Sequence, residues 1–210
     1  MEYLDHMGER AVAAKKSLQS LEAEEKNKIL LQIAQALPEN AERILQENAK
    51  DYAIAEENGM SQGLLDRLKL TRERIEGMAE GIRQITELSD PVGQVIETIE
   101  RPNGLHIEKV RVPMGVIGII YEARPNVTAD AFGLCFKSGN VVILKGGKDA
   151  LYSNLAVTGV IRSVLTDAGI DPNVIQLIDN NDRSVTTEFM RLKKYVDLLI
   201  PRGGAGLIRA

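Results

Sequence analysis

Four short apolar runs in the second half of the chain constrain its fold most. They are Val116-Ile117-Gly118-Ile119-Ile120, Val141-Val142-Ile143-Leu144, Val174-Ile175-Gln176-Leu177-Ile178 and Val196-Asp197-Leu198-Leu199-Ile200. Each is largely continuous rather than alternating, as expected of strands buried on both faces. Helical stretches separate them. Val127 to Lys137 is one, ending at Ser138-Gly139. Leu151 to Ala168 is the next, with Leu155, Val160, Ile161, Val164 and Leu165 on its apolar side and Gly169 at its end. Asp182 to Leu192 is the third. Strand, helix, strand, helix predicts βαβ units, and so a parallel sheet with helices on both faces.

The first ninety or so residues read differently. Ile29, Leu30, Ile33 and Leu37 repeat at helical spacing until Pro38 interrupts, and Ala41, Ile44, Leu45, Ala49 and Tyr52 resume the pattern until Asn58-Gly59 stops it. Thr71 can cap a further helix whose face is Ile75, Met78, Ala79, Ile82 and Ile85. Between the helices and the sheet, Gln94 to Arg101 and Leu105 to Val112 flank Pro102-Asn103-Gly104. Asn-Gly accepts positive φ, so this reads as a β-hairpin. A two-stranded ribbon is marginal alone and needs its own domain or a second subunit to lie against. The expected divisions are residues 1–92, 93–113 and 114–210. After the fourth strand, Gly203-Gly204-Ala205-Gly206-Leu207-Ile208-Arg209-Ala210 reads as a turn entering a helix of only a turn or two. That is shorter than helices usually run, and it predicts a truncated chain.

A net charge of −4 argues against a nucleic-acid binder, which usually shows a basic face. No apolar run approaches membrane-spanning length, and the amino terminus lacks the pattern of a secretory signal. The single cysteine, Cys135, rules out an internal disulfide and suits a cytoplasmic protein.

Open parallel sheets bind ligands at the carboxyl ends of their strands. Three segments leave those ends: Tyr121-Glu122-Ala123-Arg124-Pro125-Asn126, Lys145-Gly146-Gly147-Lys148 and Pro201-Arg202-Gly203-Gly204. The Lys145 ammonium can reach a ribose hydroxyl or a phosphate, with Gly146 and Gly147 leaving room and Lys148 suited to a 2′-phosphate. The same loop also reads as a solvated turn. Gly203-Gly204 at a helix start favours a pyrophosphate or is an ordinary turn. The Asn126 amide can donate to an oxyanion or cap a helix. Cys135, in Phe132-Gly133-Leu134-Cys135-Phe136, reads as core packing rather than a nucleophile. His6 and His106 fall in unrelated segments, so no histidine cluster offers a metal site.

Taken together the motifs are specific. Arg101-Pro102-Asn103-Gly104-Leu105, the block from Val112-Pro113-Met114-Gly115 through Tyr121-Glu122-Ala123-Arg124-Pro125-Asn126-Val127-Thr128, Lys137-Ser138-Gly139-Asn140, Leu65-Asp66-Arg67-Leu68 and Pro201-Arg202-Gly203-Gly204 resemble the gamma-glutamyl phosphate reductases. These belong to the aldehyde dehydrogenase superfamily. The resemblance implies an incomplete aldehyde dehydrogenase-like fold with a Rossmann-like sheet. It implies NADP(H) as cofactor, gamma-glutamyl phosphate as substrate and glutamate 5-semialdehyde as product, in proline biosynthesis. Asn126 then corresponds to the oxyanion-hole asparagine, Lys145 to the lysine holding the adenosine ribose, and Gly203-Gly204 to the turn beside the nucleotide phosphates. The 93–113 hairpin corresponds to a homo-oligomerisation arm. Family members are about twice this length, and their nucleophilic cysteine lies in a later domain that nothing here matches. In the family mechanism a thiolate attacks the acyl phosphate, phosphate leaves and hydride reduces the thioester. The resemblance thus implies a chain inactive by itself. The alternative is a catalytically inactive nucleotide-binding or oligomerising fragment.

Overall fold

The computed structural model describes residues 2–122 and 124–203. Five helices come first: α1 (Glu2–Gln19), α2 (Ala23–Glu39), α3 (Ala41–Glu57), α4 (Gln62–Leu68) and α5 (Arg72–Glu87). At the start of α2 the Glu22 backbone N–H donates to the Glu25 carboxylate at 3.0 Å, half of a capping box. Pro38 does not break the pattern where the sequence suggested. It sits in the last turn of α2, where a proline forfeits only one ladder bond, and the chain turns at Asn40 instead. Thr71 caps α5 as expected, its hydroxyl accepting from the Arg74 N–H at 3.1 Å.

The ribbon pairs β1 (Val95–Glu100) with β2 (His106–Val110), Ile99 opposite Ile107. Its turn is closed by the Gly104 N–H donating to the Arg101 carbonyl at 2.9 Å, with Gly104 at φ +83°. Among the described residues only glycines take positive φ, so Asn103 does not. Its side chain instead accepts from the Leu105 N–H at 3.2 Å. Nearly every ribbon residue is exposed.

The four apolar runs give β3 (Val116–Tyr121), β4 (Val141–Lys145), β5 (Ile175–Leu177) and β6 (Leu198–Arg202), all parallel, in the order β5-β4-β3-β6. α6 (Asn126–Lys137) and α7 (Leu151–Asp167) cover one face. α1 and α8 (Arg183–Met190) cover the other. Gly118 and Gln176 stand in the same register across the sheet. Gly118 lies against Phe189 of α8, and the Gln176 amide donates to the Met7 carbonyl of α1 at 2.8 Å. β3 and β4 are buried throughout. β6 is not the doubly covered strand its composition suggests. It has no outer neighbour among the described residues, and Leu198 and Ile200 are exposed.

One continuous core joins α1, α2 and α5 to the sheet and to α6 and α7. The chain builds β3, β4 and β5 outward in one direction, then crosses over to lay β6 on the other side of β3. That reversal parts the loops after β3 and β6, the place where open parallel sheets carry a ligand crevice.

Candidate functional site

The carboxyl ends of the strands carry two polar assemblies of opposite character. The first is closed. Tyr121, the last residue of β3, donates to the Thr128 hydroxyl at 2.7 Å, and Thr128 donates to the Asn154 side-chain oxygen of α7 at 3.0 Å. All three are buried. Burial also pushes the Tyr121 phenol well above its ordinary pKa. Gly146 packs into this group. A Cβ there would stand 2.3 Å from the Asn154 amide nitrogen and 3.3 Å from the Tyr121 ring. The glycine therefore serves close packing of the chain's own side chains, where the sequence suggested room for a ligand.

Lys145 ends β4 beside this group. Its Nζ is buried, donates to the Gly146 carbonyl at 3.0 Å, and has its pKa lowered by desolvation. An ammonium has three donors, and only one of Lys145's has an acceptor among the described residues. Gly147 is half-buried and Lys148 exposed, in a 3₁₀ turn at Lys148–Ala150 that leads into α7. The first turn of α7 is clasped from α3. The Asp51 carboxylate accepts from the Tyr152 and Ser153 N–H groups at 3.1 and 2.7 Å, and from the Ser153 hydroxyl at 2.5 Å. Desolvation raises the Asp51 pKa in spite of these bonds. Asn48 adds bonds to the Leu68 carbonyl and the Ser153 hydroxyl.

The second assembly is open. A cleft of about 440 Å³ lies between the α4–α5 turn and the start of α6. Arg67, Lys69 and Arg74 line its helical side, and Arg124, Asn126 and Asp130 line the other. A recess of about 300 Å³ adjoins it, shares Arg67 and Arg124, and adds Tyr121 and Glu122 at the end of β3 and Arg202 and Gly203 at the end of β6. Gly203 is half-buried at this rim. Gly204 lies outside the described residues, as does the expected short helix after it. Asn126 is the first residue of α6 and exposed, with Pro125 at the capping position. Its amide reaches forward to the Asp130 carboxylate at 3.2 Å, so the capping alternative does not hold.

The structure thus separates the candidates. Asn126 borders the open cleft and Gly203 the adjoining recess, while Lys145 and Gly146 belong to the closed group at the end of β4, which meets the recess only through Tyr121. A further recess of about 490 Å³, between α2 and the end of α7, lies at the opposite end of the sheet from these loops. Cys135 is buried and its thiol is pushed up to about 12 by desolvation, so it packs rather than reacts. His6 and His106 are surface residues on α1 and the ribbon, each beside glutamates. Among the described residues no cluster suits a metal ion, and no helix is long and apolar enough to cross a membrane.

Residues 2–203 match the aldehyde dehydrogenase family. The chain belongs to that family. Within it, the chain is 53% identical over its whole length to the gamma-glutamyl phosphate reductase of Lachnospira eligens, covering 50% of that protein. The solved gamma-glutamyl phosphate reductase of Thermotoga maritima superposes with a TM-score of 0.95 at 43% identity, over 98% of this chain and 50% of that one. The enzyme from Saccharomyces cerevisiae gives 0.89 at 33% identity, over 97% of this chain and 52% of that one. This aldehyde dehydrogenase-family chain thus spans about half the length of the relatives it matches, and the resemblance read from the motifs holds along it.

Sequence reasoning singled out strand-end loops in this family member and missed what supports them. Tyr121 and Thr128 stood inside a quoted motif without a role of their own, and Asn154 and Asp51 carried no motif signal. Arg67 had one: it precedes Leu68 at the end of α4, where a cation is not needed for packing.

Proposed function

We propose that this chain forms the cofactor-binding portion of a gamma-glutamyl phosphate reductase. Such an enzyme reduces gamma-glutamyl phosphate to glutamate 5-semialdehyde and phosphate with NADPH, in proline biosynthesis. The observation that carries the reading is the 0.95 TM-score, at 43% identity, to the Thermotoga maritima enzyme along nearly all of this chain.

The residues fit the cofactor. Lys145 keeps donors for ribose hydroxyls, and Lys148 stands exposed for a 2′-phosphate, which favours NADP(H) over NAD(H). Gly146 and Gly147 belong to that loop, and the nucleotide phosphates are assigned to Gly203 at the recess and to Gly204, which lies outside the described residues. NADPH supplies the hydride. Asn126 keeps an amide N–H beyond its bond to Asp130, the donor an oxyanion needs. The thiolate comes from sequence outside these 210 residues, because Cys135 is buried and un-ionised at neutral pH.

The ribbon is the arm of a homo-oligomer. Val95, Ile96 and Val110 are 49%, 52% and 41% exposed, apolar surface that a second subunit would cover. On this reading residues 1–92 and 114–210 form the nucleotide-binding body and 93–113 the arm. The protein is cytoplasmic and has no nucleic-acid or membrane partner. The sole thiol's burial favours a second reading, a nucleotide-binding or oligomerising piece without catalysis. Fluorescence titration with NADPH tests the first. Saturable binding weakened about tenfold by Lys145→Met is expected, and its absence in the wild-type chain rejects the cofactor assignment.

A further inference from the structure

We propose that the open cleft is a phosphoryl-anion subsite in which Arg67 and Arg124 take the phosphate group of the substrate, with Arg202 at the rim. The inference rests on the reading above for the source of the anion. The cleft itself stands on charge and geometry.

Consider first which cations are already spoken for. Arg74 donates to the Lys69 carbonyl at 2.7 Å, to the Asp66 carbonyl, and to the Asp66 carboxylate at 3.1 and 3.2 Å. It is a clasp that fixes the backbone of residues 66–69, and it consumes the Asp66 charge. Lys69 lines the cleft with its ammonium over the Tyr52 ring at 5.9 Å. Arg67 and Arg124 are different. Among the described residues, neither side chain has an ion-pair or hydrogen-bond partner. Yet both residues line the cleft and the adjoining recess.

Two like charges held on one cavity without a counter-ion repel each other, and an anion between them reverses the sign. The setting reinforces the inference. The chain carries a net charge of −4, while this cleft is lined by more basic than acidic groups. Of its carboxylates, Asp66 is paired with Arg74, and Asp130 accepts from Asn126 and feels the Arg202 charge. Glu122 stands in the recess and is itself engaged.

The choice of anion follows from shape and position. Guanidinium forks bind phosphate oxygens in pairs, two N–H donors to two oxygens. Asn126 opens on the same cleft, so an acyl phosphate whose carbonyl oxygen meets that amide would extend its phosphoryl group toward the arginines. Lys145 and Gly146 do not border the cleft, which keeps the cofactor's adenosine ribose and 2′-phosphate at the other assembly, while Gly203 borders only the adjoining recess.

Inorganic phosphate is the probe, and adenosine 2′,5′-bisphosphate stands in for the cofactor's phosphates. Calorimetric titration of the chain should show saturable phosphate binding. Arg67→Gln and Arg124→Gln should each weaken it about tenfold or more, and Arg67→Lys should weaken it less. Lys28→Gln, at the recess on the opposite end of the sheet, should leave it unchanged. The bisphosphate should not compete. Circular dichroism of each variant confirms that it is folded. Absence of saturable phosphate binding overturns the proposal, as does binding indifferent to both arginine substitutions. Arginine-dependent competition by the bisphosphate also overturns it, because the cleft would then belong to the cofactor. Arginine-dependent phosphate binding in a chain that does not bind NADPH upholds the subsite and sinks the cofactor reading instead.

Discussion

Tyr121 ends β3 and Arg124 follows three residues later, yet they belong to assemblies that obey opposite rules. Around Tyr121 the polar groups find partners inside the protein: Thr128, Asn154 and, through the clasp on α7, Asp51. Across the open cleft Arg124 and Arg67 have no such partner among the described residues. Among the described residues the only buried side-chain polar atom left without a partner is the Thr158 hydroxyl, so the interior is otherwise accounted for. Groups satisfied from within hold the fold. Groups left unsatisfied at a cavity are where something else binds.

The comparison breaks if substitutions in the closed assembly prove harmless or those in the open one destabilise. Asp51→Ala should have the largest effect on urea unfolding, a loss of about 3 kcal/mol, because it strands the first N–H groups of α7 away from water. Gly146→Ala should cost about 2 kcal/mol, since the added methyl meets the Asn154 amide within a bonding-scale gap and forces the network apart. Tyr121→Phe should cost about 1 kcal/mol, measured the same way, because Thr128 keeps its bond to Asn154 when the phenol is removed. Arg67→Gln and Arg124→Gln should each change stability by less than about 0.5 kcal/mol, having no internal partner to lose.

The sheet was legible in the sequence because burial on both faces leaves a continuous apolar run, as in Val141–Leu144. The helices of the amino-terminal region were legible for the matching reason, an apolar stripe at helical spacing. What was not legible depended on neighbours far along the chain. β6 reads like β3, but its outer side has no covering strand among the described residues, and composition cannot report a missing neighbour. Gly146 invites a ligand on paper, while the space beside it is filled from a helix that begins five residues later. Asn126 reads as a cap by residue type, yet Asp130 one turn on draws its amide forward. The cleft needed α4 and the segment after β3 to meet, some sixty residues apart. No local pattern in either piece announces that meeting.

The difference between the two assemblies can be read in one measurement: the thermal midpoint of the chain with and without inorganic phosphate, compared with the Arg67→Gln/Arg124→Gln double variant. A ligand that binds only the folded state raises the midpoint with concentration. The account predicts that wild type and double variant melt together without phosphate, and that only the wild type rises as phosphate is added. An equal rise in both would contradict it.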